Sequence, residues 1–147
     1  MLATNVTAVM VFVRAFGPGL RSRDAGHVIV MGSIAGHEAY EGGSVYCATK
    51  HAVRAFTDSA RRDFVATGVR WTAVSPGAVN TEFSTVRFGG DKARADQVYD
   101  GIPLGPLLAE DVADSVMHAA LAPAHVQVAD IVLLATYQCS AKGIARR

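Results

Sequence analysis

The sequence has few of the residues that build disulfide frameworks and metal centres. Its 147 residues include two cysteines, Cys47 and Cys139, and neither belongs to a CxxC pair. The histidines show no mutual spacing typical of metal ligands. We therefore expect two reduced thiols in a cytoplasmic protein, and neither a metal site nor a structural disulfide.

An excess of charge and long apolar runs are absent as well. The 14 Lys and Arg against 13 Asp and Glu leave a net charge of +1, which predicts no nucleic-acid partner and no anionic membrane partner. No stretch reaches the ~18 uninterrupted apolar residues of a membrane-spanning helix. The apolar N-terminus lacks a basic region before it, which favours a helix over a signal peptide. The composition predicts one globular domain over residues 1–147.

Apolar residues at helical spacing predict two long helices. The first begins near Val6, and Gly17-Pro18-Gly19 is expected to kink or end it. The second has Ser44 as its predicted N-cap and Gly68 at its end. The predicted buried residues of the first are Val6, Val9, Met10, Val13 and Phe16. Those of the second are Val45, Ala48, Ala52, Phe56, Ala60 and Phe64.

Three short β-branched runs, residues 27–33, 69–77 and 126–136, alternate with these helices and with two shorter predicted helices at 91–99 and 110–121. Strands separated by helices need crossover connections, which favour a parallel sheet with helices on both faces. The predicted fold class is therefore α/β with about three parallel strands. The segment between the second strand and Asp91, a possible N-cap, is expected to be a long loop.

Tyr46 and Lys50 are four residues apart at the start of the second helix, so they share one face. A free tyrosine, with a pKa of ~10, is a poor acid or base at neutral pH. A neighbouring ammonium favours the phenolate, and a tyrosine tuned in this way can pass a proton to or from a substrate oxygen. Taken alone, such a pair is more often simply the polar face of an amphipathic helix.

Two further features bear on this pair. Ser33 ends the first predicted strand and Pro76-Gly77 ends the second. Ligands of open parallel sheets bind beyond the carboxyl ends of the strands, and Tyr46 begins the helix that follows Ser33. We therefore expect the Ser33 hydroxyl to hold the substrate oxygen that the Tyr46 phenol protonates.

This combination resembles the catalytic half of the short-chain dehydrogenase/reductase family. Ser33, Tyr46, Lys50 and the segment SPGAVNT (75–81) match its motifs, and Asn5 in NVTA matches its helix asparagine. The stretches GSIAG, YCATKHAVRAFTDS and HVQVADIVLLATYQ resemble the branch of NADP-dependent 3-hydroxy acid (serine) dehydrogenases. The resemblance implies the second half of a Rossmann-type doubly wound parallel sheet, without the N-terminal βαβ units.

The resemblance also implies roles for these residues. Tyr46 is the general acid/base, Lys50 lowers its pKa and binds the nicotinamide ribose, and Ser33 positions the substrate oxygen. Asn5 holds a helix kink that orders a relay water. The implied cofactor is NADP, with NAD not excluded, and hydride transfer itself is the cofactor's chemistry. The residues implied to bind it are Tyr46, Lys50, Pro76, Gly77, Val79 and Thr81.

Two residues are weaker candidates for contact with the substrate. Arg87 could clamp a substrate carboxylate through both arms of its guanidinium, although a solvated loop arginine is the commoner case. His37 lies in the loop between Ser33 and Tyr46 and could touch the substrate, although a solvated histidine is again commoner. The implied substrate is a small hydroxy acid such as serine or 3-hydroxypropionate.

The chain lacks the glycine-rich turn that meets a dinucleotide pyrophosphate at a helix N-terminus. The expectation is therefore a C-terminal half that binds NADPH no more tightly than about 1 mM. The alternative to an active oxidoreductase is a truncated, inactive fragment or dimerisation partner that retains the tetrad. By resemblance the two long helices form a dimer interface, which implies a homo-dimer or homo-tetramer.

Overall fold

The computed structural model describes all 147 residues, which form a three-stranded sheet with flanking helices. The first turn of the first helix, Ala3–Thr7, is π-helical, and a short 3-10 turn, Ile34–Gly36, follows the first strand. The elements in chain order are α1 (Ala3–Arg23), β1 (Gly26–Met31), α2 (Ser44–Asp63), β2 (Val69–Pro76), α3 (Phe83–Arg87), α4 (Lys92–Asp96), α5 (Ala109–Leu121) and β3 (Asp130–Leu133).

The sheet is parallel, as predicted. Its order is β1-β2-β3, so β2 is central and pairs with both neighbours, with Val30 opposite Ala73 and Val74 opposite Ile131. The outer edge of β1 has no partner strand. Because the strands are parallel, the carboxyl ends of β1 and β2 lie at the same edge, and the residues that follow them face one region.

The core lies between β2 and the two long helices. Trp71 on β2 is fully buried, and its ring centre lies 5.3 Å from that of Phe64 at the end of α2. Gly17 is the one buried residue of α1, and a Cβ there would lie 3.3 Å from the Phe64 ring. The glycine therefore permits the close approach that fixes α1 against α2.

The predicted interruption of the first helix at Gly17-Pro18-Gly19 does not end it, because α1 continues to Arg23. A proline inside a helix leaves the carbonyl four residues before it without a donor. Here Pro18 and Arg14 are both exposed, so water can solvate that carbonyl. The packing of Gly17 on Phe64 holds the next turn in place.

The buried face of α2 differs in part from the predicted one, since Ala60 and Phe64 are buried as predicted but the positions near its start are not. Val45 is 56% exposed and Ala48 is exposed, and on α1 Met10 and Phe16 are exposed too. The helical period showed that an apolar stripe exists, but it did not show which face meets the sheet. The buried residues of α2 are Cys47, Thr49, Val53, Thr57 and Ala60.

Threonines can occupy the buried face because their hydroxyls donate hydrogen bonds to backbone carbonyls of the same helix. The Thr57 hydroxyl donates to the Val53 carbonyl (2.8 Å) and the Thr49 hydroxyl to the Tyr46 carbonyl (2.7 Å). A buried hydroxyl with a partner avoids most of the cost of burial, and its methyl group packs like that of valine. The sequence pattern treated these threonines as polar and so left them out of the buried face, although it placed Ala60 and Phe64 there correctly.

Several ends of helices and strands also differ from the predicted ones. Gly43, not Ser44, is the N-cap of α2. A Cβ at Gly43 would collide with the Tyr40 ring, which favours glycine at that position. The helix ends at Asp63 rather than at Gly68. The predicted N-cap at Asp91 is confirmed, with its carboxylate accepting from the Arg94 amide at 3.0 Å. The segment predicted as a long loop contains α3, and the third strand has four residues.

By length and composition alone, α1 is apolar enough to cross a membrane, with 21 residues and little of its apolar stretch buried. Signal sequences and helices of soluble folds meet the same criterion, so this property does not distinguish among them. The predicted lack of a membrane partner stays a prediction.

Candidate active site

The candidate residues converge at the carboxyl edge of β1 and β2. Tyr46 and Lys50 occupy the first two turns of α2, and Ser33 follows β1. The Phe83 ring of α3 packs on Tyr46, with ring centres 5.6 Å apart. The Ser33 hydroxyl accepts a hydrogen bond from the Ala35 amide (3.1 Å), which caps the 3-10 turn and fixes the serine.

The pKa of Tyr46 lies above its ordinary value. Burial is the largest cause, because a phenolate is poorly solvated there. The Ser33 hydroxyl and the Arg87 guanidinium act in the opposite direction and lower the pKa. The predicted lowering by Lys50 is not found, since the cation that lowers the Tyr46 pKa is Arg87.

Lys50 is held at the end of β1. Its ammonium donates to the Met31 carbonyl (3.1 Å) and lies 5.9 Å from the centre of the Tyr46 ring. Burial lowers the pKa of Lys50. An ammonium has three N–H donors, so two remain for a ligand that lies between Lys50 and Tyr46.

Asn5 is joined to the same helix through Thr49. The Asn5 side chain donates to the Thr49 hydroxyl at 3.2 Å, and that hydroxyl donates to the Tyr46 carbonyl at 2.7 Å. Asn5 lies inside the π-helical turn at the start of α1, where the family resemblance implies a kink. Sequence reasoning missed Thr49, although its position between Tyr46 and Lys50 could have indicated it.

The loop after β2 is fixed by contacts from three other segments. The Gly77 amide donates to the Leu133 carbonyl (2.8 Å), and the Ala78 amide donates to the Gln138 side chain (2.9 Å). The Tyr99 hydroxyl donates to the Val79 carbonyl at 2.7 Å. Farther along, the Thr81 hydroxyl accepts from the Phe83 amide, and Pro76 is the last residue of β2.

Gln138 is a second residue that sequence reasoning missed. It is buried, its amide oxygen accepts from Ala78, and its amide nitrogen donates to the Ser140 carbonyl at 3.0 Å. A Cβ at Gly77 would collide with it. No local pattern marks this residue, because its partner lies sixty residues earlier in the chain.

Arg87 lies at Tyr46. Its guanidinium carbon is 5.5 Å from the centre of the Tyr46 ring and 5.7 Å from that of Tyr40, and it donates to the Tyr40 hydroxyl at 3.1 Å. None of the ion pairs in the structure includes Arg87. A guanidinium without an acidic partner, beside the phenol, can receive a carboxylate.

His37 is placed elsewhere. Its imidazole lies 3.9 Å from the Asp130 carboxylate, which is also 4.0 Å from Arg54. Burial, and then Arg54, lower the pKa of His37. No side-chain hydrogen bond or ion pair joins it to Tyr46, Ser33 or Arg87. The structure contains no group of three His, Cys, Asp or Glu side chains placed to hold a metal ion.

The arrangement suits proton transfer at a substrate oxygen. A tyrosine phenol is protonated at neutral pH and can donate that proton; burial makes Tyr46 a weaker acid, and the Ser33 hydroxyl and the Arg87 guanidinium oppose that effect by lowering its pKa. Ser33 can hold the same oxygen, while the Arg87 and Lys50 cations lie 5.5 Å and 5.9 Å from the centre of the Tyr46 ring.

Known proteins are similar to this chain in amino-acid sequence and in fold. The chain is 42% identical over 147 residues to an NADP-dependent 3-hydroxy acid dehydrogenase of Schizosaccharomyces pombe, covering 100% of this chain and 56% of the relative. It is 43% identical over 130 residues to the NADP-dependent 3-hydroxy acid dehydrogenase YdfG of Escherichia coli, covering 87% and 51%. The chain thus spans about half the length of these relatives.

Solved structures agree with the sequence relatives. The closed form of a serine dehydrogenase complexed with NADP+ matches with a TM-score of 0.91 and 39% identity, over 100% of this chain and 59% of that one. The serine dehydrogenase of Escherichia coli matches with a TM-score of 0.76 and 33% identity, over 95% and 53%. Residues 1–90 match the family model described as short chain dehydrogenase. The chain therefore belongs to the short-chain dehydrogenase family.

Proposed function

We propose that this chain carries the catalytic residues of an NADP-dependent oxidoreductase that interconverts the 3-hydroxyl and 3-keto forms of a small hydroxy acid, such as serine or 3-hydroxypropionate. The observation that carries the proposal is the Tyr46 phenol set against Ser33 and Arg87. The relatives named as NADP-dependent 3-hydroxy acid dehydrogenases support it.

In the direction of reduction, Tyr46 donates its phenolic proton to the substrate carbonyl oxygen as that oxygen becomes a hydroxyl. The phenol carries its proton at neutral pH, and the Ser33 hydroxyl and the Arg87 guanidinium, which lower its pKa, favour transfer of that proton to the substrate. The Ser33 hydroxyl, fixed by the Ala35 amide, positions the same oxygen. In oxidation Tyr46 takes the proton back.

The residues present fit the nicotinamide end of a cofactor. Lys50 has two ammonium N–H donors available for ribose hydroxyls, because its bond to Met31 uses one. The loop after β2 lies at the same carboxyl edge of the sheet as Lys50 and is held by hydrogen bonds with Leu133, Gln138 and Tyr99. It contains the predicted cofactor residues Pro76, Gly77, Val79 and Thr81. When bound, NADP(H) supplies or accepts the hydride. NADP is favoured over NAD by the relatives alone.

Arg87 holds the substrate carboxylate in this proposal. Its planar guanidinium makes paired hydrogen bonds to a carboxylate, which a lysine cannot reproduce. Asn5 acts through Thr49 to fix the first turn of α2, and so the position of Tyr46. His37 is not given a role, because its contacts are with Asp130 and Arg54.

We also propose that the chain is a homo-dimer or homo-tetramer in the cytoplasm. The exposed faces of α1 and α2 are apolar, including Val11 (58% exposed) and Val45 (56%). Introduction of a charge there, as in Ala55→Arg at an exposed position of α2, is expected to shift sedimentation toward the monomer. Ala113→Arg on α5 is the control, and dissociation by both variants or by neither contradicts the proposed interface.

The second candidate is a chain that retains the tetrad without turnover and pairs with another polypeptide. It is favoured by the unpaired edge of β1 and by the adjoining apolar groove of about 310 Å³. Phe12 and Phe16 of α1, with Val28 of β1 and the Trp71 indole, line this groove.

One assay separates the candidates. The purified chain is mixed with millimolar NADP+ and serine or 3-hydroxypropionate, and NADPH formation is followed by absorbance. Turnover that Tyr46→Phe abolishes supports the oxidoreductase. A folded chain with no turnover, or turnover unchanged by Tyr46→Phe, rejects the catalytic proposal and leaves the second candidate.

A further inference from the structure

A second cation, Lys142 in the C-terminal segment, lies near the same tyrosine ring as Arg87, that of Tyr40. The Lys142 ammonium is 5.3 Å from the centre of the Tyr40 ring, and the Arg87 guanidinium carbon is 5.7 Å from the same point. The two charges are therefore at most about 11 Å apart. Tyr40 also accepts a hydrogen bond from Arg87, so one side chain gathers both cations.

The segment that carries Lys142 is held in a tight loop. The Cys139 amide donates to the Gly143 carbonyl (2.8 Å), and the Gly143 amide donates to the Ser140 hydroxyl (2.7 Å). On one side the loop is anchored by the buried Gln138, which also holds the loop after β2. Lys142 therefore projects from a fixed backbone rather than from a free tail.

A second anchor lies next to Lys142. The Ala141 amide donates to the Glu38 carboxylate, which joins the tail to the segment that carries Tyr40. The three ion pairs of the structure include neither Lys142 nor Arg87. Glu38 and Glu41 are the acidic residues of this segment, and neither lies within 4.0 Å of either cation.

Two unpaired cations held on one tyrosine favour a ligand with two negative charges. We propose that Arg87 and Lys142 form a two-cation subsite, organised by Tyr40, that selects hydroxy acids carrying a second carboxylate. This proposal rests on the proposed function, in which Arg87 binds the first carboxylate. Lys142 then binds the carboxylate at the other end of a four- or five-carbon diacid. Tyr40 is a positioning residue, because it acts through the two cations.

The effect on affinity is moderate, since both cations are exposed. A charge pair of this kind is screened by water and salt, so we expect a diacid to bind about fivefold more tightly than a monoacid of similar length. The preference weakens as salt is added.

The test compares glutarate with butyrate in NMR titrations of the ¹⁵N-labelled chain, without cofactor, at low salt. Wild type should bind glutarate about fivefold more tightly. Lys142→Met should remove the preference and leave butyrate affinity unchanged, and Lys142→Arg should restore it. Arg87→Met should weaken binding of both acids, whereas the control Lys92→Met should change neither.

The outcomes distinguish the two-cation subsite from the proposed role of Arg87 in binding the first carboxylate. Equal affinity for the two acids, with both lost in Arg87→Met, overturns the two-cation subsite and leaves the carboxylate role of Arg87 intact. Absence of binding by either acid overturns both. If Lys142→Met still prefers glutarate, a group other than Lys142 binds the second carboxylate, and the proposed subsite is overturned.

Discussion

The guanidinium carbon of Arg87 lies 5.5 Å from the centre of the Tyr46 ring. A cation at this distance favours the phenolate, while burial of the ring favours the neutral phenol. Burial is the larger effect, so the pKa of Tyr46 is raised and the phenol keeps its proton at neutral pH. Arg87 therefore tunes the proposed acid and also receives the proposed carboxylate.

Removal of Arg87 should raise the pKa of Tyr46 further. Arg87→Met eliminates a charge that lowers this pKa, and burial of the phenol remains. The measurement is a pH titration of the chain labelled with ¹³Cζ-tyrosine and followed by NMR. Arg23→Met, an exposed change at the end of α1, is the control. A fall in the Tyr46 pKa in Arg87→Met contradicts the assignment.

Tyr46→Phe should lower turnover by at least about 100-fold, the usual loss on removal of a general acid. The ring stays packed against Phe83, so the unfolding midpoint should change little. Steady-state rates and a urea melt measure the two effects. Tyr137→Phe removes a hydroxyl elsewhere and should keep the rate. Activity within tenfold of wild type in Tyr46→Phe would exclude Tyr46 as the acid.

Thr49→Val should destabilise the fold by about 1–2 kcal/mol, because the Asn5 side chain and the Tyr46 carbonyl both lose a partner. Thr57→Val is a matched control on the same buried face, since its hydroxyl has only the Val53 carbonyl as partner. Urea denaturation compares the free energies of unfolding. A loss in Thr57→Val equal to that in Thr49→Val argues against a special link through Thr49.

Acid should destabilise the chain through two half-buried histidines, His27 and His37. Burial is the largest cause that lowers the pKa of both His27 and His37 below 6.5, so the folded state favours their neutral forms. Their contribution to stability is present above pH 6.5 and is lost as the pH falls through the lowered values. Urea midpoints from about pH 8 to about pH 5 measure this loss.

The variant that tests the pH effect is His27→Gln. Glutamine can still bond the Thr72 hydroxyl, which lies 2.7 Å from the His27 ring, but it does not titrate. The decline of the midpoint toward acid should become shallower, and more so with His37→Gln added. His125→Gln, in an exposed loop, is the control. An unchanged decline in the double variant would assign acid sensitivity to other groups.

The sequence by itself determined the parallel α/β plan and the edge at which the site lies. Strand runs separated by helices permit only crossover connections, and Ser33 and Tyr46 follow the end of one such run. Tyr46 and Lys50 share a helix face by spacing alone. These are local properties, each fixed by residues a few positions apart.

Only the tertiary structure decided which groups complete the site. Arg87, Tyr40 and Gln138 reach the site from separate segments, and their contacts join residues 47 and 60 positions apart in the chain. The face of α2 that is buried depended on the sheet and on the hydroxyl bonds of Thr49 and Thr57. The sign of the Tyr46 pKa shift depended on burial, which exists only when the chain is folded, because desolvation requires neighbours that the sequence does not place.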